Sequence, residues 1–269
     1  MSGIEYLSIT TVDTEPRTLM PFDHLSVYAK PNSAATLRLL YPGSGRFNGE
    51  VEIDLAEGAR LTIISIQDWR PEAVAQLRYR INIGKDAELR HAVITLQGQW
   101  IQHETAVTYT GPGGRAELLG VYFAGAGQHL QHSVYIDHNQ PNTTSLVDYR
   151  GALQGENARS SWVGEVSIRP EGIGTDTYES NKNLILSDGC RVDAVPNLEI
   201  ETGEVRRAGH SATAGRFDDE QLFYLMSRGI SPAEARRLVV QGFFASILAR
   251  IGDSEDWMER INASVVLGV

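Results

Sequence analysis

The chain has one cysteine, Cys190, and twenty residues downstream a histidine, His210, isolated between Gly209 and the small-residue run SATAG. Thiolate sulfur and imidazole nitrogen are the side-chain donors that soft and borderline transition metals take most readily, and iron–sulfur centres are held by thiolates with imidazole as a substitute. Both residues fall in strand-like segments just ahead of the point where the sequence changes period from strand to helix. Soft ligands would therefore sit on a rigid scaffold beside a helical appendage. Each residue also has an ordinary reading. A lone cysteine commonly serves as a small buried apolar side chain, and a lone histidine as a hydrogen-bonded surface group. The small neighbours of His210 favour an accessible ring. Arg206 and Arg207 would lower the thiol pKa only if they reached Cys190, and solvated surface charge is their plainer role.

Other chemistry-bearing groups carry less. His129 and His132 have metal-ligand spacing for a helix, but on a strand they point to opposite faces. His132 and His138 share a face yet lie about 20 Å apart along an extended chain, too far to chelate together. All three read as structural. Gly111-Pro112-Gly113-Gly114-Arg115-Ala116 satisfies the dinucleotide pattern G-x-G-x-x-A in form, but a β-prone run follows it instead of a helix start, so it reads as a turn. No Walker A sequence occurs, so ATP hydrolysis would belong to a partner. Asp176, Glu179 and Asp188 could serve a polysaccharide-cleaving enzyme, although nothing in their spacing fixes a carboxylate pair.

Composition narrows the class. A net charge of -10 and a pI near 5.2 leave no broad field of Lys and Arg for phosphate, so no nucleic-acid partner is expected. The longest charge-free apolar stretch of the helical tail, Leu238 to Ala249, has twelve residues, well short of the roughly 20 that cross a bilayer. The opening MSGIEYLSITTVDTEP has neither a basic nor an apolar leader region, so a cytoplasmic protein with a reduced thiol is expected.

The elements that would position these residues follow from a repeat. Small-x-apolar triplets recur at Ala59-Arg60-Leu61, Ala87-Glu88-Leu89, Ala116-Glu117-Leu118 and Thr144-Ser145-Leu146, with steps of 28, 29 and 28 residues. Each tends to follow a polar or Gly-rich corner and opens a β-prone run such as LTIISI or LLGVYF, which is how stacked β-coils read; a sandwich of regular hairpins is the alternative. From Asp218 the grammar changes. Asp218 can cap a helix over DEQLFYLMSR closed by Gly229, and Ser231-Pro232-Ala233-Glu234 is a capping box opening a second helix to about Arg250. On that helix Ala235, Leu238, Val239, Phe243, Ser246 and Ile247 line one face, while Val240, Phe244 and Leu248 make a second apolar face. One would pack on the β body and the other would meet a partner. The expected division is a β-coil core over residues 1–216 and a helical domain over 217–269.

With these residues in view, the chain resembles the SufB/SufD family, scaffold subunits of the SUF iron–sulfur cluster assembly system. The likeness runs over QHLQHSVYIDHNQPNTTSLVDYRG (residues 128–151), GEVSI (164–168), NKNLILSDG (181–189), VPNLEI (195–200) and GHSATAGRFDDEQLFYLMSRGIS from Gly209. Residues before about 110 add only β-coil content. The resemblance implies a mainly β fold, a right-handed parallel β-helix with a small C-terminal α-helical domain. It implies that β-helices pair into a dimer and that the helical domain holds a SufC-like ABC ATPase.

Two departures bear on function. The family's usual N-terminal helical region has no counterpart ahead of the first β-prone run, which suggests a compact form, and SufB's upstream sulfur-relay cysteine is absent too. Cys190 falls where SufB-type subunits carry their assembly cysteine, and His210 falls at the histidine of the HGAT or HEAT motif, here HSAT. One chain with both features suggests a homodimeric, non-catalytic scaffold holding a transient [2Fe–2S] or [4Fe–4S] cluster at its interface, with two Cys190 and two His210 as a four-donor set. The alternative is a SufD-like accessory subunit that binds the ATPase and a SufB-like paralogue without carrying a cluster.

Overall fold

The computed structural model describes residues 4–13, 15–20, 23–252 and 254–264. Its strands alternate between two parallel sheets. One sheet is built from β1 (Ile4–Ile9), β3 (His24–Ala29), β5 (Arg46–Leu55), β7 (Val74–Ile83), β9 (Trp100–Tyr109), β11 (His129–His138), β13 (Arg159–Ile168) and β15 (Arg191–Ile200), hydrogen-bonded in that order. The other is built from β2 (Arg17–Leu19), β4 (Ala34–Gly43), β6 (Arg60–Trp69), β8 (Glu88–Thr95), β10 (Arg115–Ala124), β12 (Thr144–Leu153), β14 (Asp176–Ile185) and β16 (Arg207–Arg216). Each coil gives one strand to each sheet, so the chain is a parallel β-solenoid, as the repeat predicts.

The register shows where the triplets hold and where they slip. Arg60 faces Glu88 and Leu61 faces Leu89, so the first two are in phase. Leu89 then faces Ala116, and Ala116 faces Ser145. Leu146 consequently lies on the outer face and Val147, partner of the fully buried Leu118, fills the core instead. A one-residue slip reverses every side chain. Coil length is not constant, because the register partners Arg60, Glu88, Arg115, Thr144, Asp176 and Arg207 drift apart in sequence toward the C-terminus. Gly111 to Ala116 forms the corner between β9 and β10, with a strand and no helix after it.

The narrow space between the sheets is filled by Val, Ile, Leu and aromatic side chains. It also holds a file of buried polar rings: Tyr41 bonds Tyr79, Ser65 bridges Tyr79 and His91, and His103 contacts Gln67 and Thr105. The even sheet is apolar on its outer face as well, as in the nearly continuous buried run of β10, because helices cover it.

Helix α1 (Asp219–Ser227) starts as expected, with Asp218 Oδ1 accepting from the Glu220 N–H, and Gly229 follows it at φ 85°. Helix α2 (Pro232–Ile251) is capped by Ser231, which accepts from the Glu234 N–H. The Glu234 carboxylate turns to Arg237, so only half of the capping box forms. Val240, Phe244, Ile247, Leu248 and Ile251 are the side buried on the solenoid, whereas Leu238 is exposed; the inward face is thus largely the one read as second. Helix α3 (Ser254–Ser264), which the sequence reading did not anticipate, adds Trp257 and Ile261 to the same cluster. Arg250 pins α2 by donating to Glu117 at 2.8 Å and to Asp148 at 3.0 Å. No described helix is long and apolar enough to cross a membrane.

Candidate functional site

The site lies in the last coil, formed by the corner after β14, then β15 and β16. In the two sheet orders β15 and β16 are terminal, so among the described residues no strand pairs with their outer edges. No side chain of β15 or β16 is fully buried, in contrast to β13 and β14 just beneath. Val192, Leu198, Val205 and Ala208 close the core only in part. This is an open end.

Cys190 occupies the corner between β14 and β15. Gly189 before it adopts φ 78°, and a Cβ there would come within 2.2 Å of Glu156 Oε2, so the turn that presents the thiol needs glycine. The thiol is half-buried against the core edge, with Sγ 3.5 Å from the Gly155 carbonyl oxygen and 3.7 Å from Ser187 Oγ. Arg216 reaches this corner, where it pairs with Asp188 at 2.6 Å. Arg206 and Arg207 lie at the opposite corner, where they donate to Asn142 and Asp176, so they do not act on the thiol.

His210 is the fourth residue of β16, exposed, and in register with Glu179. Its neighbour two residues back, Ala208, packs on the core. His210 therefore stands on the inner face of its strand, exposed only because no further coil covers it. Glu179 beneath it is 1% exposed, and neither carboxylate oxygen has a hydrogen-bond partner. Burial pushes its pKa up to about 7. The carboxyl occupies room left by Gly164, whose Cβ would fall 2.1 Å from Glu179 Oε2. Sequence reasoning raised Glu179 only as a member of a carbohydrate site. That grouping fails, since Asp176 is held by Arg207, Asp188 by Arg216, and Glu179 points into the interior. The signal that would have found it is the coil length, which puts Glu179 directly under His210.

One protomer does not bring Cys190 and His210 together. Arg216, at the Cys190 end of β16, is six residues beyond His210, which at strand rise is about 20 Å. Within one protomer the two donors therefore lie too far apart along the strand to share one centre. Among the described residues, no group of three or more His, Cys, Asp or Glu side chains is arranged around a metal position.

The other histidines singled out in the sequence, His129, His132 and His138, have partners within the solenoid. His129, half-buried, contacts Ser161 at 2.9 Å. His132 contacts Thr95, and His138 contacts Thr143 and Ser145, both inside the solenoid. Burial holds His91, His132 and His138 at a pKa of about 3, so they are neutral.

Residues 11–243 match the family described as SUF system FeS cluster assembly, SufBD core domain. An iron–sulfur cluster assembly SufBD family protein of Mycobacterium bovis is 47% identical over 250 residues, covering 91% of this chain and 63% of the relative. A SufBD family protein of Mycobacterium leprae is also 47% identical, over 86% of this chain and 60% of its own length. The iron–sulfur cluster assembly protein SufD of Escherichia coli is 25% identical, over 86% of this chain and 63% of its own. The chain thus spans about 60% of the length of these curated relatives.

Proposed function

This chain belongs to the SufBD family of iron–sulfur cluster assembly proteins, and from that premise we propose that it is a non-catalytic scaffold whose two copies meet at their open ends and hold a transient cluster there. The observation that carries this reading is the uncovered last coil, with an accessible imidazole and a half-buried thiol at its two ends. When two open ends face each other about a two-fold axis, Cys190 of one copy can stand opposite His210 of its partner, and the reverse pair follows by symmetry. A thiolate and an imidazole bind a nascent cluster less firmly than four thiolates, which suits cargo that must leave. The cluster, [2Fe–2S] or [4Fe–4S], is the cargo of this protein.

A SufC-like ABC ATPase is the proposed partner for residues 217–269, in the cytoplasm. In support, Phe223 and Tyr224 on α1 are 69% and 58% exposed, and Leu238 on α2 is also uncovered, a run of apolar side chains unusual on a free helical surface.

Anaerobic incubation with ferrous iron and sulfide tests the scaffold reading. Charge-transfer absorption should develop in the wild type and vanish in Cys190→Ala; an unchanged spectrum in the variant removes Cys190 from the site. The second reading is an accessory subunit that carries no cluster, favoured by the similarity to Escherichia coli SufD. Wild-type chain that never takes up iron, yet co-purifies with the ATPase and a paralogue, selects it.

A further inference from the structure

We propose that Glu179 is a positioning residue for His210: it accepts one ring N–H of the imidazole and so leaves the other ring nitrogen facing the open end, free for a metal. The inference rests on the reading of His210 as a donor and adds what aims it.

The column of inward-facing partners on the even sheet runs Leu118, Val147, Glu179, His210. The first two are fully buried and apolar. A third apolar residue would continue the core, but a carboxylate stands there instead, with about four acceptor positions and none of them used. Burying such a group without partners is unfavourable, so an acceptor at this position needs a donor that arrives from above. Gly164 on the facing strand supplies the space, since any side chain there would collide with Glu179 or Trp162.

His210 is the next inward residue, one rung away, which in a parallel sheet is about 4.8 Å. The two side chains are not bonded in this structure, where the ring is exposed; in the proposed arrangement the ring turns about its Cα–Cβ bond so that one nitrogen meets the carboxylate. A metal-ligating imidazole almost always donates its second N–H to a carboxylate or carbonyl, which fixes the tautomer and strengthens the ligand. Glu179 is the buried carboxylate that this rule requires, in the rung where it is required.

The test uses the full chain in four forms: wild type, Glu179→Gln, Glu179→Leu and His210→Ala. In metal-free protein labelled with nitrogen-15 histidine, the His210 ring shifts should report one tautomer in the wild type and a mixture in Glu179→Leu. After anaerobic loading with ferrous iron and sulfide, Glu179→Leu should lose its cluster to a chelator roughly 10–100-fold faster than wild type, with Glu179→Gln between them. Both variants should fold at least as stably as the wild type, which separates this effect from damage to the core. Unchanged ring shifts together with a wild-type cluster lifetime in Glu179→Leu overturn the proposal while leaving His210 as a donor. A wild-type lifetime in His210→Ala removes the donor itself, and the positioning role falls with it.

Discussion

At the scale of single residues, the interior of the solenoid holds ionisable groups in the neutral state, and pH should expose them. His91, His132 and His138 sit at about 3 when folded against 6.5 for an unhindered ring. Their folded pKa is depressed, so their burial is harmless above pH 6.5 and becomes costly as pH falls from there toward 3, because only the unfolded chain takes up the protons. At pH 5 each should cost about 2 kcal/mol, and the urea midpoint should drop steeply between pH 7.5 and 5. His132→Leu should flatten that slope. Glu179 works in the opposite direction. Its folded pKa is raised to about 7, so its contribution is intact below pH 4.5 and lost as pH rises through 7. Glu179→Gln should raise stability at pH 8 by up to about 3 kcal/mol and leave it unchanged at pH 4. Cys190 and His210 could be proposed from the sequence because short motifs surround both. Glu179, His91 and His103 could not, since burial of a polar side chain inside a coil depends on register, and register depends on corners whose length the sequence does not announce.

At the scale of elements, the helices are held to the even sheet by a few identifiable contacts. Phe244 is fully buried between α2 and the sheet, and Phe244→Ala should cost about 3–5 kcal/mol, read as a lower unfolding temperature. Arg250 joins α2 to Glu117 and Asp148. Arg250→Ala should loosen the helices by about 2 kcal/mol while the coils keep their protection, which hydrogen exchange resolved by segment would show. The caps of α1 and α2 could be read from sequence because capping is local: Asp218, Ser231 and Pro232 act within one turn. The inward face of α2 could not, since apolar residues surround it almost evenly and the choice is made by the sheet it meets. Helix α3 escaped notice because, among the described residues, its buried anchors are Trp257 and Ile261, with Met258 partly buried beside them, too few to establish a period. The same limit applies to the β repeat. The spacing of Ala59, Ala87 and Ala116 revealed the stacking, yet the triplet at Thr144 to Leu146 was out of phase by one residue.

At the scale of the whole molecule, the uncovered coil predicts association. The solution mass should be that of two chains, not the 29.6 kDa of one. Ala212 lies in the inward register of β16 and is exposed at the open end. Ala212→Arg should therefore yield a monomer without lowering the unfolding temperature; a dimer that persists in this variant places the contact elsewhere. Pairing through the edges of β15 and β16 would also remove two rows of unpaired backbone groups that invite indiscriminate strand addition. A solenoid transmits stability only from each rung to its neighbours, and the final rung has a neighbour on one side alone. The residues proposed to grip the cargo are thus fastened to the part of the stack that frays at the least expense. Letting go then needs no global rearrangement: a pull on the adjoining helices that peels back one terminal layer would empty the grip and leave the column standing for the next round.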